Sequence, residues 1–148
     1  MVKQILFFCL LCMGLTATKA QTNAYNDIWE AMNNYDYEKA LLLIDKEVPS
    51  TTLLYQKGKA LKELGRDKEA LTVFEQLTRQ DSLNPRAYIE AAECYKSLGK
   101  FQPALQCYGR VIELNPQNKY ARIQYIVQLL SLHKYQEALG ESSTLAEQ

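Results

Sequence analysis

An all-α protein made of stacked helical hairpins is the fold class predicted by the 148-residue sequence, and two observations carry that expectation. The stretch from Pro85 to Asn118 reads as two short amphipathic helices, broken at Gly99 and stopped at Pro116. The chain then repeats the pattern at a step of 34 residues, which puts Leu64, Leu98 and Leu132 in one column and Ala70, Ala104 and Ala138 in another. Leu71, Leu105 and Leu139 make a third column, Leu61, Tyr95 and Leu129 a fourth, and Gly65, Gly99 and His133 mark the turn. A fixed period of about 20 to 50 residues is the signature of stacked repeats. Each hairpin carries apolar residues on more than one face and cannot bury them alone, so neighbouring copies must cover them.

On these residues the segment resembles a tetratricopeptide repeat. The family pattern has small residues near the middle of the first helix, here Gly58, Ala91 and Ala92, and a large one later in it, here Leu61, Tyr95 and Leu129. After the turn come an aromatic residue (Phe101, Tyr135), an alanine (Ala70, Ala104, Ala138), a second-helix aromatic (Phe74, Tyr108) and a closing proline (Pro116). The sequence departs from the pattern at Asp67, Ser82, His133 and Ser142, which replace the post-turn aromatic, the closing proline, the turn glycine and the second-helix aromatic. The resemblance covers the chain from about Gln21 to its end and implies a right-handed superhelical array of about four hairpins. The alanine column is expected where paired helices approach most closely.

Residues 1–20 differ from the rest. Lys3 supplies a positive start, residues 5–15 are an apolar run, and Thr18 and Ala20 stand at signal-peptidase spacing, which predicts a secretory signal peptide cleaved after Ala20. The apolar run is too short for a spanning helix, which needs about 20 residues. Cys9 and Cys12 follow the bulky Phe8 and Leu11, where a lipoprotein signal would carry Gly or Ala.

Residues 21–50 are a first, degenerate copy, in which Ala40, Leu41 and Ile44 precede Ala70, Leu71 and Phe74 by 30 residues rather than 34. Pro49 is expected to end its second helix early. Tyr35 stands where Gly65 and Gly99 do, and a left-handed backbone is costly for a bulky residue, so Asn34 is expected to take that conformation instead. Copies two, three and four span 51–84, 85–118 and 119–148, the last atypical. Asn84 followed by Pro85 predicts a capped helix start, and Pro103 falls in an opening turn where its missing N–H is harmless. The closing helix, expected over 136–147, is thin in apolar residues: Ala138, Leu139, Leu145 and Ala146. Repeat arrays normally end in a polar-faced cap. Either further chain follows, or this end packs on another subunit or domain.

Several function classes are excluded. Basic and acidic residues number 17 each, and removal of Lys3 and Lys19 leaves a slight acidic excess, without the clustered cations that nucleic acid or an anionic membrane requires. One histidine, His133, supplies no zinc site of ordinary spacing, and it occupies a helix-ending turn position. No glycine-rich phosphate cradle occurs, and the carboxylates are dispersed along solvated faces. No catalysis, cofactor or metal is expected. Cys94 and Cys107 lie one in each helix of copy three. Packed helix axes are about 8–10 Å apart while a disulfide needs Cα atoms within about 7 Å, so both are expected as free, small hydrophobes.

What remains is binding. The resemblance implies an inner groove lined by the first helix of each hairpin. Tyr25, Tyr55, Ile89 and Ile123 form one groove column, Trp29, Lys59, Glu93 and Val127 the next, and Met32, Lys62, Lys96 and Leu130 a third. Such a groove is apolar at both ends with a basic middle at Lys59, Lys62, Arg86 and Lys96, relieved by Glu63 and Glu93. It suits a protein or peptide segment with apolar anchors flanking an acidic or C-terminal group. Trp29 reads either as a binding hot spot or as padding of an end copy, and the lysines either as ligands or as solvated face. The Lys/Asn clamp by which some family members hold a terminal carboxylate is missing, its places being taken by Tyr25, Trp29, Gln56, Arg86 and Glu90. The expectation is therefore an exported, non-catalytic interaction scaffold of the bacterial periplasm or outer envelope, without a membrane span after signal cleavage. The alternative is a self-assembling piece that stacks through its last repeat.

Overall fold

The computed structural model describes residues 23–146, and the expected signal segment with Cys9 and Cys12 lies outside them. The described residues form helices without a strand: α1 (23–33), α2 (Tyr37–Ile44), α3 (Thr51–Glu63), α4 (Asp67–Gln80), α5 (Pro85–Ser97), α6 (Phe101–Leu114), α7 (Lys119–Ser131) and α8 (Tyr135–Ala146). They fall into two compact units that divide between Val48 and Pro49. In the second unit each helix from α3 to α8 packs on the next.

The first helices start on side-chain caps. Ser50, Asn84 and Asn118 accept hydrogen bonds from the backbone N–H groups of Leu53, Ala87 and Ala121 at 3.2, 3.3 and 3.0 Å. Each satisfies one of the donors a helix start leaves open. Asn84 caps α5 and Pro85 opens it, as the sequence predicts. The shortening of the first copy falls in α2, which has 8 residues against 14 in α4 and α6. Pro49 does not stop it. The helix has already ended at Ile44, and the N–H groups of Lys46 and Glu47 turn back onto Leu43 and Ile44.

Every hairpin turn is the same motif. Arg66 N–H bonds to the Leu61 carbonyl and Gly65 N–H to Lys62, and the same pair of bonds recurs at Asp36/Tyr35, Lys100/Gly99 and Lys134/His133. These bonds place a left-handed residue one position beyond the helix cap. That residue is Tyr35 (φ 61°), Gly65 (70°), Gly99 (70°) or His133 (58°). The expectation that Asn34 relieves Tyr35 is therefore corrected: Asn34 is the cap residue, and the bond pattern leaves no choice of position. Where the residue is not glycine, an aromatic ring two positions on stands edge-on against it. Tyr35 meets Tyr37 at 6.2 Å between centroids and His133 meets Tyr135 at 5.9 Å, with a 2.7 Å hydrogen bond between the His133 Nδ1 and the Tyr135 hydroxyl.

The alanine column of Ala40, Ala70, Ala104 and Ala138 is buried throughout, and Ala104 shares a core cluster with Ala92, Tyr108, Val111 and Ala121. At Gly58 a Cβ atom would lie 2.5 Å from the ring of the fully buried Phe74. Cys94 and Cys107 are free, and burial pushes their thiols up to about 12 and about 11, so both stay protonated.

Candidate functional site

Within the second unit, α3, α5 and α7 are tied edge to edge through polar side chains. Lys62 Nζ lies 2.5 Å from Glu90 Oε2, the Tyr55 hydroxyl donates to Glu90 Oε1 at 3.0 Å, and Lys59 Nζ stands 3.9 Å from the same oxygen. Glu90 thus gathers three side chains of the preceding repeat. Burial alone would lower the Lys62 ammonium, but the hydrogen bond and charge of Glu90 hold it above its ordinary value. Burial, followed by the charge of Glu90, pushes the Tyr55 hydroxyl up to about 12.

A second carboxylate binds the next junction. Glu93 Oε1 accepts from the Tyr108 hydroxyl at 2.5 Å and the Tyr120 hydroxyl at 2.6 Å, while Lys96 Nζ sits 2.7 Å from its Oε2. Burial would raise the Glu93 carboxyl, yet these donors outweigh it and hold it below its ordinary value. Lys96 also reaches Gln124 at 3.3 Å, one period after the Lys62–Glu90 contact.

The basic middle predicted for this face therefore needs correction. Lys62 and Lys96 lie where expected but are spent on Glu90 and Glu93. Lys59 has only a long contact to Glu90, and Arg86 is exposed with its charge bearing on Tyr55. Glu93 likewise sits on the face but is saturated by internal donors. Ile89 is half-buried against the core of copy three rather than open. Ile123, Val127 and Leu130 are exposed at helical spacing on α7, and Tyr120 extends the stripe. Tyr25, Trp29 and Met32 belong to the first unit, where Tyr25 and Met32 are half-buried and Trp29 is 55% exposed.

Glu90, Tyr108 and Tyr120 were not among the sequence-predicted site residues. A usable signal existed: the pairs Lys62/Glu90 and Lys96/Gln124 share a spacing of 28 residues, six short of the period. Among the described residues no group of His, Cys, Asp or Glu gathers where a metal could be held, and no helix is long and apolar enough to cross a membrane.

Family models described as tetratricopeptide repeat match residues 51–82 and 85–118. The chain is 31% identical over 110 residues to the DnaJ homolog subfamily C member 7 of Homo sapiens, covering 72% of this chain and about a fifth (21%) of that relative's length. Among solved structures, MamA superposes with a TM-score of 0.77 at 17% identity, over 89% of this chain and 82% of its own. A tetratricopeptide repeat protein from Parabacteroides merdae gives 0.81 at 19% identity, over 87% of this chain and 53% of its own. YrrB, described as a TPR protein with an unusual peptide-binding site, gives 0.75 at 19% identity, over 88% and 69%.

Proposed function

We propose that this array of tetratricopeptide repeats is a non-catalytic adaptor, exported to the periplasm or outer envelope, which holds a partner polypeptide along α3, α5 and α7. One observation carries the reading: the face is divided in chemistry. Lys59 and Lys62 both face Glu90, and the exposed Arg86 lies close enough for its charge to bear on Tyr55, which donates to the same carboxylate. One repeat further on, Tyr120, Ile123, Val127 and Leu130 lie exposed along α7. A segment with an acidic side chain or terminal carboxylate toward α3 and α5, and an apolar patch toward α7, satisfies both halves. In the first unit, taken by itself, Trp29 is exposed, and exposed tryptophan is enriched where partners bind. Export is supported by Lys3, the apolar run after it and the Thr18/Ala20 spacing. Peptide binding by the similarly folded YrrB fits the same picture.

The test is crosslinking-assisted pull-down from a bacterial envelope fraction with two double variants, Lys59→Glu/Arg86→Glu and Ile123→Ala/Val127→Ala. Each should lose the captured partner at least about tenfold, an effect of roughly 1.4 kcal/mol, with helicity unchanged. Capture undiminished in both would rule this face out.

A second reading has its own observation. Leu139 is 64% exposed, although its counterparts Leu71 and Leu105 are 7% and 4% exposed beneath the following repeat. On this reading α8 stacks on a second copy or another domain. Light scattering over a concentration series decides whether the partner is a second copy: dimerisation abolished by Leu139→Lys supports that form of stacking, and a monomer throughout removes it.

A further inference from the structure

The second helices solve one packing problem in two ways. At the junction of α4 and α5, Glu75 accepts a hydrogen bond from the Tyr95 hydroxyl and lies 3.9 Å from Arg79. One period later the places of Glu75, Ala91 and Tyr95 are held by Gly109, Tyr125 and Leu129. The carboxylate and the hydroxyl that filled the first junction are both gone. Instead the Tyr125 ring lies against bare backbone, so that a Cβ at Gly109 would stand 3.3 Å from it. Glycine inside a helix weakens it relative to alanine. Here it goes with a cleft of about 440 Å³ between α6 and α8, floored by Leu105, Gly109 and Tyr125.

The walls narrow the choice of ligand. Arg110 is paired with Glu113 at 2.8 Å on one side and Lys134 with Glu137 at 3.1 Å on the other, so the rim charges cancel. Neither the carboxamides of Gln102 and Gln106 nor the Tyr125 hydroxyl has a partner among the described residues. A carboxamide offers one acceptor and two donors, which complements a peptide group. The α6 wall from Gln102 to Glu113 is about 16 Å long at a rise of ~1.5 Å per residue, room for about five residues of extended chain.

We propose that this cleft is a second binding site, which takes an uncharged, extended peptide segment. One apolar side chain of the segment sits over Tyr125 beside Gly109, and its backbone pairs with Gln102 and Gln106. The site shares no residue with the α3–α5–α7 face and does not depend on the reading of that face.

The test is a nuclear magnetic resonance titration of the full chain with the capped peptide acetyl-Gly-Ser-Phe-Ser-Gly-amide. Shifts are expected at Leu105, Gln106, Gly109 and Tyr125. Affinity should fall at least about tenfold when the central Phe is replaced by Gly or Asp, about 1.4 kcal/mol. Gly109→Glu restores the filled junction and should abolish the shifts. Gln102→Ala/Gln106→Ala changes only exposed positions, leaves folding intact and should weaken binding several-fold, while Lys59→Glu/Arg86→Glu should bind the peptide as the wild type does. The proposal is overturned by shifts confined to α3, α5 and α7, by no saturable shift at all, by unchanged binding in Gly109→Glu, or by maltotriose binding in the cleft where the peptide does not.

Discussion

Adding one methyl group at Gly58 probes the close approach of that backbone to the Phe74 ring. In an open helix, Gly→Ala is worth about 1 kcal/mol of stabilisation. At Gly58 the new Cβ would meet the Phe74 ring at 2.5, 2.7 and 2.9 Å, whereas carbon atoms rest at about 3.5–4.0 Å. The ring must retreat by about 1 Å into a fully packed surrounding, and such overpacking costs about 1–3 kcal/mol. Gly58→Ala should therefore be destabilising by about 1 kcal/mol net, lowering the melting temperature by roughly 4–8 °C. Urea and thermal unfolding followed by circular dichroism measure this directly. Phe74→Leu in the same background should recover part of the loss, with a coupling of at least about 1 kcal/mol between the two sites. The effect should also reach the α3–α5–α7 face, because the Phe74 ring supports Tyr55 edge-on at 6.0 Å and Tyr55 in turn holds Glu90. Copy three accepts Ala92 at the matching place, where its Tyr108 is held by Glu93. If Gly58→Ala is as stable as the wild type or more so, the close approach of Phe74 is wrong and the reasoning fails with it.

Three further outcomes follow from the same contacts. Arg122 is buried at the position of Leu54 and Tyr88, paired with Glu141 at 2.5 Å with its Nε unsatisfied. Arg122→Leu should be neutral or stabilising by about 1–4 kcal/mol, whereas Glu141→Ala should cost about 1–2 kcal/mol, less than a fully buried pair because Glu141 is partly solvated. Urea melts of the two variants should shift in these opposite senses. The carboxyl of Glu93 is held below its usual value of 4.5, so its contribution is complete above that pH and is lost as pH falls through the lower folded value. Glu93→Gln should cost about 1–2 kcal/mol at neutral pH, and the gap from wild type should shrink on titration to about pH 3, as denaturation curves at several pH values will show. Finally, His133→Gly should stabilise by up to about 1 kcal/mol and His133→Val should destabilise, since only the glycine takes a left-handed turn without steric cost. Melting temperatures in the opposite order would contradict the turn assignment.

The helical register was legible because it is written in residue types that act alone. Small residues at Ala70 and Ala104, turn glycines at 65 and 99 and the Asn84–Pro85 start each impose a local geometry whatever surrounds them. The residue that takes the left-handed turn in the first copy was not legible, because Tyr35 does so against its own preference. The helix cap and its paired backbone bonds set the position, and the neighbouring ring of Tyr37 comes with it. The charge pairing on the α3–α5–α7 face was not legible for a related reason. Lys62 and Lys96 count as cations in the chain, but packing brings Glu90 and Glu93 onto them from a neighbouring repeat and from one turn back on the same helix. The Lys62–Glu90 pairing depends on how far one helix slides along the next, a quantity that no single hairpin carries.

The two carboxylate ties make the joints between repeats unequal, and one consequence concerns how such a chain could lengthen. A polymer written from residues 85–118 alone would set Arg86 of each incoming copy where Tyr120 now meets Glu93, and Glu90 against Lys96 where Lys62 now stands. Both encounters are of opposite charge, so this segment mates with itself. Residues 51–84 would instead bring Thr52 to Lys59 and Gln56 to Lys62, two joints with no counter-charge. Tandem duplication of 85–118 is thus the insertion this architecture tolerates best, and a filament grown from it would carry a row of matched ions along one edge.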